Sequence, residues 1–211
     1  MFISLKSIIQ NYNLKIKGVI HIGAHKGEEL SSYLKNNIKN IILIEANNEL
    51  IKYLKLKKIY YKLFSMKIDI FNFIAYNQEN LNLELNITSN TQSSSILKLK
   101  KHKILYPDIV SKKKIIVKTQ KISNIFKNNI KLNNYNFINI DIQGAELKAL
   151  EGCSEIFEGI DAIYTEINFE ELYENCVTAD VLDKFLNKFK FKRVLTNTPQ
   201  HPSWGDALYL K

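Results

Sequence analysis

The sequence predicts an α/β fold: a mostly parallel sheet, helices on both faces, and an antiparallel hairpin at its C-terminal edge. Three observations lead there. Short β-branched runs alternate along the chain with longer segments of helical periodicity, the order that builds a covered parallel sheet. Several of those runs end in a glycine or a carboxylate, as strand tips do at a ligand-binding edge. The last two runs are joined without a helix, which leaves only an antiparallel return. At 211 residues, with three prolines and seven glycines, the chain suits one α/β domain with no long linker.

Residues 1–17 read as a lead-in with a helical segment. Residues 18–23 (GVIHIG) are a buried strand closed by glycine. Residues 28–36 read as a helix with Leu30, Tyr33 and Leu34 on one face, and 41–45 (IILIE) as a second buried strand. Asn48 opens a long helix rich in Leu, Tyr and Lys. Residues 72–76 (NFIAY) read as a third strand. Residues 81–88 alternate and read as a half-exposed strand, the return arm of a hairpin. A polar loop at 91–95 leads to a strand at 114–120 and a short helix at 122–128. Residues 136–141 (NFINID) are a strand, 145–157 a helix, 162–167 a strand, 178–189 a helix, and 192–197 and 207–210 the closing strands.

Composition excludes several classes. No apolar run is long enough to span a bilayer, and residues 1–10 lack the pattern of a secretory signal. Cys153 and Cys176 have neither metal nor redox spacing; they fit a reducing compartment, and a cytoplasmic location is expected. The net charge of +9 invites a nucleic-acid partner. Arg193, however, is the only arginine, and guanine reading and bidentate phosphate contacts favour arginine. The lysine clusters at 55–58, 98–103 and 112–114 read as solvated faces. No membrane span and no nucleic acid are therefore expected.

The chemistry gathers where strands end. Gly23 lets the chain turn sharply beside a ligand, and Gly27 starts the next helix with no side chain in the way. The loop His21-Ile-Gly23-Ala24-His25-Lys26-Gly27 lacks the GxGxxG spacing that admits a pyrophosphate. Glu45 lies about 20 residues past the first glycine, where a carboxylate accepts both hydroxyls of a ribose. Asp141 follows an apolar strand; it can orient a nucleophile, take its proton, hold an ammonium group, or cap the following helix. Glu146 sits in the first turn of that helix, where the dipole alone favours it. Glu166 nearly closes the next strand. His25 and His201 are candidate bases, His21 either a site or a core residue, and His102 has no context. No pair of histidines has metal spacing.

The blocks VIHIGAHKGEELSSYL, IILIEANNEL, INIDIQGAELKALEG, YTEINFEELY and GDALYL, in this order, resemble the FkbM family of S-adenosylmethionine-dependent methyltransferases. TQSSSI at 91–96 and Tyr106-Pro107 resemble its middle region. The resemblance implies a Rossmann-like class I methyltransferase fold with a seven-stranded sheet. It implies O-methylation, often of sugar hydroxyls, with S-adenosylmethionine as cofactor and S-adenosylhomocysteine as product. By position, His21, Gly23, Ala24, Gly27, Glu45, Ala75, Tyr76 and Asp141 would bind cofactor. His25, Ser94, Ser95, Gln143 and Glu146 would meet the acceptor, and Asp141, Glu166 and His201 would be catalytic. His21 stands where many methyltransferases carry an acid.

A nucleotide-linked sugar is one acceptor that the basic charge would suit. Asp141 and Glu166 are hard oxygen ligands, but no third ligand stands out, so no metal is assigned. A nucleic-acid methyltransferase is the rival, weakened because DIQG stands where base-amino methylation uses a proline-rich motif. An NAD enzyme suits Glu45 but not the first loop. A non-catalytic binding module is the third rival.

Overall fold

The computed structural model describes residues 3–127 and 130–211. The chain runs α1 (Leu5–Asn11), β1 (Gly18–Ile22), α2 (Leu30–Lys35), β2 (Asn40–Ile44), α3 (Asn48–Lys62), β3 (Lys67–Phe71), β4 (Ile74–Ala75) and β5 (Asn82–Thr88). It continues through α4 (His102–Leu105), β6 (Ser111–Gln120), β7 (Phe137–Ile140), α5 (Glu146–Glu151), β8 (Ala162–Asn168), α6 (Ala179–Asn187), β9 (Lys192–His201) and β10 (Trp204–Leu210). The main sheet has seven strands in the order β3-β2-β1-β7-β8-β10-β9. All neighbours are parallel except β10, which runs against β8 and β9. This is the predicted sheet with its C-terminal hairpin.

Alternation in the buried strands builds two cores, since successive side chains enter opposite faces. Ile20, Ile22, Ile42, Ile44, Ile138 and Ile140 join α5 and α6 on one face. Val19, Ile41, Leu43 and Phe137 join α1, α2 and α3 on the other. Parallel register then lines up His21, Asn139 and Tyr164 across β1, β7 and β8 on this second face. The strand order reverses between β1 and β7, so a crevice opens at their carboxyl ends.

Several expectations are corrected. The third strand of the main sheet is β3, not 72–76. Its Asp69 and Lys67 interrupt the apolar pattern, which an edge strand tolerates because one side is open. Ile74–Ala75 belongs instead to a separate sheet of order β4-β6-β5. There β5 pairs antiparallel with β6, so it is no hairpin arm of the segment before it. The helix expected at 145–157 stops at Glu151 and continues as a 3-10 turn over Ser154–Gly159. At the break a Cβ on Gly152 would stand 2.0 Å from the Tyr76 carbonyl oxygen. The helix expected at 122–128 is a 3-10 helix over Ile122–Lys127, and Asn128 lies outside the described residues. Residues 201–206 are mostly strand, since β9 reaches His201 and β10 starts at Trp204. The helix α4 had no sequence signal.

Gly23 holds the crevice open. Its φ is +80°, and a Cβ there would stand 2.0 Å from the Asp141 carbonyl oxygen. Gly23→Ala is expected to cost about 1–3 kcal/mol of stability, measured by urea unfolding. An unchanged midpoint would show that the tips of β1 and β7 can part freely. Among the described residues no helix is long and apolar enough to cross a membrane.

Candidate active site

Two cavities meet over the strand tips. The smaller, about 80 Å³, lies on the α5 side and is lined by Ile44, Glu45, Phe73, Ala75, Ser94 and Ser95 among others. The larger, about 370 Å³, lies on the side of the His21–Asn139–Tyr164 row. Gly23, His25, Gln92 and Asp141 line both. A ligand with one end in each must therefore pass these four residues.

Glu45 is built into the smaller cavity by its backbone. One carboxylate oxygen accepts from the His25 N–H and the other from the Asn47 N–H, both at 2.7 Å. Burial nonetheless raises its pKa above the usual carboxylate range. His25 adopts φ +48°. Its Nδ1 lies 2.7 Å from Glu28 and its Nε2 2.7 Å from the Thr91 hydroxyl, which ties the first loop to the segment that roofs both cavities. Glu28 is partly buried, but the His25 ring holds its carboxyl down at about 2.

The larger cavity is acidic. Glu28, Glu29, Asp141, Glu166 and Asp206 line it, and among the described residues no lysine or arginine does. The net charge of +9 is therefore not carried into this cavity. The Gln143 side-chain amide donates to Asp141 at 2.7 Å and to Glu166 at 2.6 Å, while its Oε1 accepts from the Tyr173 hydroxyl at 2.5 Å. Gln143 sits at φ +58° to reach this position. Glu146 takes the Ile142 and Gly144 N–H groups at 3.0 and 3.1 Å; it shapes the loop and lines neither cavity. Oxygens of Asp141, Glu146 and Glu166 lie within 4.8 Å of one another, so Glu146 joins the two strand-tip carboxyls in one acidic cluster.

Crowding sets the proton affinities. Asp141 faces the cavity, but its other sides are protein; this desolvation and the nearby Asp206 push it up to about 6. Burial, then Asp141, pushes Glu146 up to about 7. Burial and the surrounding carboxylates hold Glu166 well above its ordinary value. A raised carboxyl pKa means that the folded state holds its proton longer, so stability falls as pH rises from about 4 through about 7. Burial lowers the pKa of His21 and His102, which tilts stability the other way below their unfolded pKa. The readout is therefore a difference: between pH 5 and 8 the Tm of ligand-free protein should fall more steeply than that of Asp141→Asn. Equal slopes would mean that Asp141 titrates normally.

Other expected residues fall outside the cavities. Ala24 is packed in the core and Gly27 turns the loop at φ +72° against Leu30 and Leu54. Tyr76 lines neither cavity, unlike its neighbour Ala75. Ser94 and Ser95 line only the smaller cavity, so they do not meet the larger one. His201 uses Nδ1 to accept the Ser203 N–H at 3.1 Å, stabilising its own turn, and its ring lines neither cavity. His21 bonds the Tyr33 hydroxyl at 3.2 Å, which also accepts from Asn139 at 2.8 Å. It is both a core residue and cavity wall.

Sequence reading missed the far wall. His102, Tyr106, Tyr173 and Trp204 all line the larger cavity. Trp204 Nε1 donates to the Tyr106 hydroxyl at 3.2 Å. The His102 ring lies 5.0 and 5.3 Å from the Tyr106 and Tyr173 rings, and its buried Nδ1 has no partner among the described residues. From the sequence His102 had no context, and the Tyr-Pro pair and the block holding Tyr173 stood only as part of the family resemblance.

The chain is similar in structure to a Streptococcus pneumoniae protein, Sp1610, named as a candidate tRNA (m1A22) methyltransferase (TM-score 0.55, 10% identity, 100% of this chain and 70% of that one). It is also similar to magnesium protoporphyrin IX methyltransferase of Synechocystis with bound S-adenosylmethionine (0.53, 10%, 98% and 75%). A third is M. capricolum TrmK with S-adenosylhomocysteine (0.52, 11%, 100% and 70%). At such identities these likenesses speak for the fold. No curated protein matches the chain. The methyltransferase FkbM domain profile matches residues 21–193, most of the chain and all the strand tips just described, so the chain belongs to the FkbM family and is an S-adenosylmethionine-dependent methyltransferase.

Proposed function

We propose that the protein methylates a hydroxyl of a sugar or glycan-type acceptor, with Asp141 as the base. The observation that carries this reading is the wall chemistry of the larger cavity. Its carboxylates and amides accept and donate to hydroxyls, and Trp204 and Tyr106 offer aromatic surface to the C–H face of a ring. Because no lysine or arginine lines it, a phosphate or nucleotide attached to the sugar would stay outside.

In this reading Glu45 takes the ribose hydroxyls, Phe73, Ala75 and Ile44 enclose the adenine, and Gly23 with Asp141 borders the methionine part. The sulfonium and ammonium are positive, and the acidic cavity attracts them. The acceptor oxygen attacks in line, forming the O–CH₃ bond as the C–S bond breaks and its electron pair moves to sulfur, which leaves as a neutral thioether. The hydroxyl proton passes to Asp141. A carboxylate of pKa about 6 is ionised at neutral pH and still basic enough to accept it. Glu166, whose burial beside other carboxyls favours its neutral form, shares the Gln143 amide with Asp141 and positions it. His201 plays no part. The larger cavity draws on segments from β1 to β10, which supports one methyltransferase unit spanning the chain, and two buried unpaired thiols suit the cytoplasm.

The rival acceptor is RNA, favoured by the net charge and by the name of the Streptococcus protein. Against it, Lys100 and Lys101 near the cavity mouth pair with Glu171 and Glu170. The only arginine grips Asp183 through two nitrogens at 3.1 and 2.8 Å. The test is incubation with methyl-labelled S-adenosylmethionine and a panel of glycosides, nucleotide-linked sugars and total RNA, followed by mass spectrometry. A methyl ether on a sugar supports the proposal. Label on RNA bases alone would overturn it.

A further inference from the structure

The helix α3 carries two apolar faces. Leu50, Leu54 and Tyr61 enter the core. Leu56, Ile59, Tyr60 and Leu63 recur at i, i+3, i+4 and i+7 on a second face, joined by Tyr53 one turn earlier. This second face is open to solvent: Leu56 is 66% exposed, Ile59 69% and Leu63 80%. A soluble helix normally keeps such a stripe polar, and a contiguous exposed apolar patch marks an interaction surface. None of these residues lines either cavity, so the catalytic site does not explain them.

The surroundings of the stripe select its partner. Lys52, Lys55 and Lys62 are exposed, and no ion pair holds them among the described residues. The one acid on the helix, Glu49, is taken by Lys113. A second copy of the chain docked two-fold would bring these lysines against themselves. A nucleic acid would answer the charge but leave the aliphatic side chains against phosphates. A bilayer surface containing anionic lipid answers both, with lysines at the headgroups and leucine and isoleucine below them. Tyrosine suits the boundary between the two. We propose that the solvent face of α3 docks the protein on an anionic lipid surface.

The test is co-sedimentation of the full chain with vesicles of phosphatidylcholine alone and of phosphatidylcholine mixed with phosphatidylglycerol. The protein should pellet with the mixed vesicles only, and less so as salt is raised. Leu56→Ser with Leu63→Ser should lower the bound fraction's partition constant at least about tenfold. Tm and S-adenosylmethionine affinity should stay unchanged, because both side chains are exposed and remote from the cavities. Failure to pellet with the mixed vesicles would overturn the proposal. So would equal pelleting of the double variant, or a concentration-dependent dimer in sedimentation velocity that the same two substitutions abolish.

Discussion

Asp141→Asn is expected to lower kcat by about 10²–10⁴ while Glu166→Gln lowers it by less than about tenfold. The two carboxyls share one amide, Gln143, so geometry alone would assign them equal weight. Their surroundings separate them. Asp141 is pushed only to about 6 and faces the cavity, whereas Glu166 is held well above its ordinary value by burial and by Asp141, Glu146 and Asp206. Burial and these neighbours favour the neutral form of Glu166, which glutamine resembles, so its replacement removes little. Asp141 is the group that can be ionised at neutral pH, and asparagine cannot take a proton. In both variants the side chain keeps its shape, so Tm and the affinity for S-adenosylmethionine separate a chemical defect from a folding one. The opposite ranking, a dead Glu166→Gln and an active Asp141→Asn, would move the base to Glu166. Equal mild losses would point to a desolvated acceptor that needs no base.

What the sequence could reveal follows from where the information lies. Gly23, Glu45, Asp141 and Glu166 were legible because each ends or nearly ends an apolar run, and a parallel sheet brings run ends to one edge. The mostly parallel sheet and the final hairpin followed from the same runs. Lys67–Phe71 was not legible, since an edge strand with Asp69 half exposed carries no clean apolar pattern. The aromatic wall was not legible either. His102 and Tyr106 sit in the long connection between β5 and β6, and His102 is placed by a bond from its N–H to the Leu172 carbonyl, while Leu99 pairs with Tyr173. Such contacts join residues far apart in sequence without periodicity. Glu146 and His201 line neither cavity for a different reason. Their residue types suit chemistry, but backbone N–H groups within two to four residues capture both. Net charge says little about the cavity because it is not shared evenly: among the described residues no lysine or arginine lines the larger cavity, which is acidic.

Glu45→Ala should raise the Kd for S-adenosylmethionine by about 10²–10³, as two charge-assisted hydrogen bonds to the ribose are lost. The carboxylate is preorganised for this. Its two oxygens are pinned by the His25 and Asn47 N–H groups at 2.7 Å, which leaves each with a lone pair toward the smaller cavity. Burial disfavours the ionised form, and hydroxyl donors from a ligand would restore it, so binding should also tighten as pH rises. Calorimetric titration with S-adenosylmethionine, and separately with NAD, measures the effect. The substitution also frees the first loop and the N-terminal cap of α3, which should lower stability by about 1–3 kcal/mol, so the comparison belongs well below the variant's Tm. Glu45→Gln keeps the volume but turns an N–H₂ toward one of the two backbone donors, and should fall between wild type and alanine. If Glu45→Ala binds the methyl donor within about threefold of wild type, the smaller cavity does not hold the ribose. If NAD binds and the methyl donor does not, the ribose site belongs to a different cofactor, and the acidic cavity loses the cation that its charge implies.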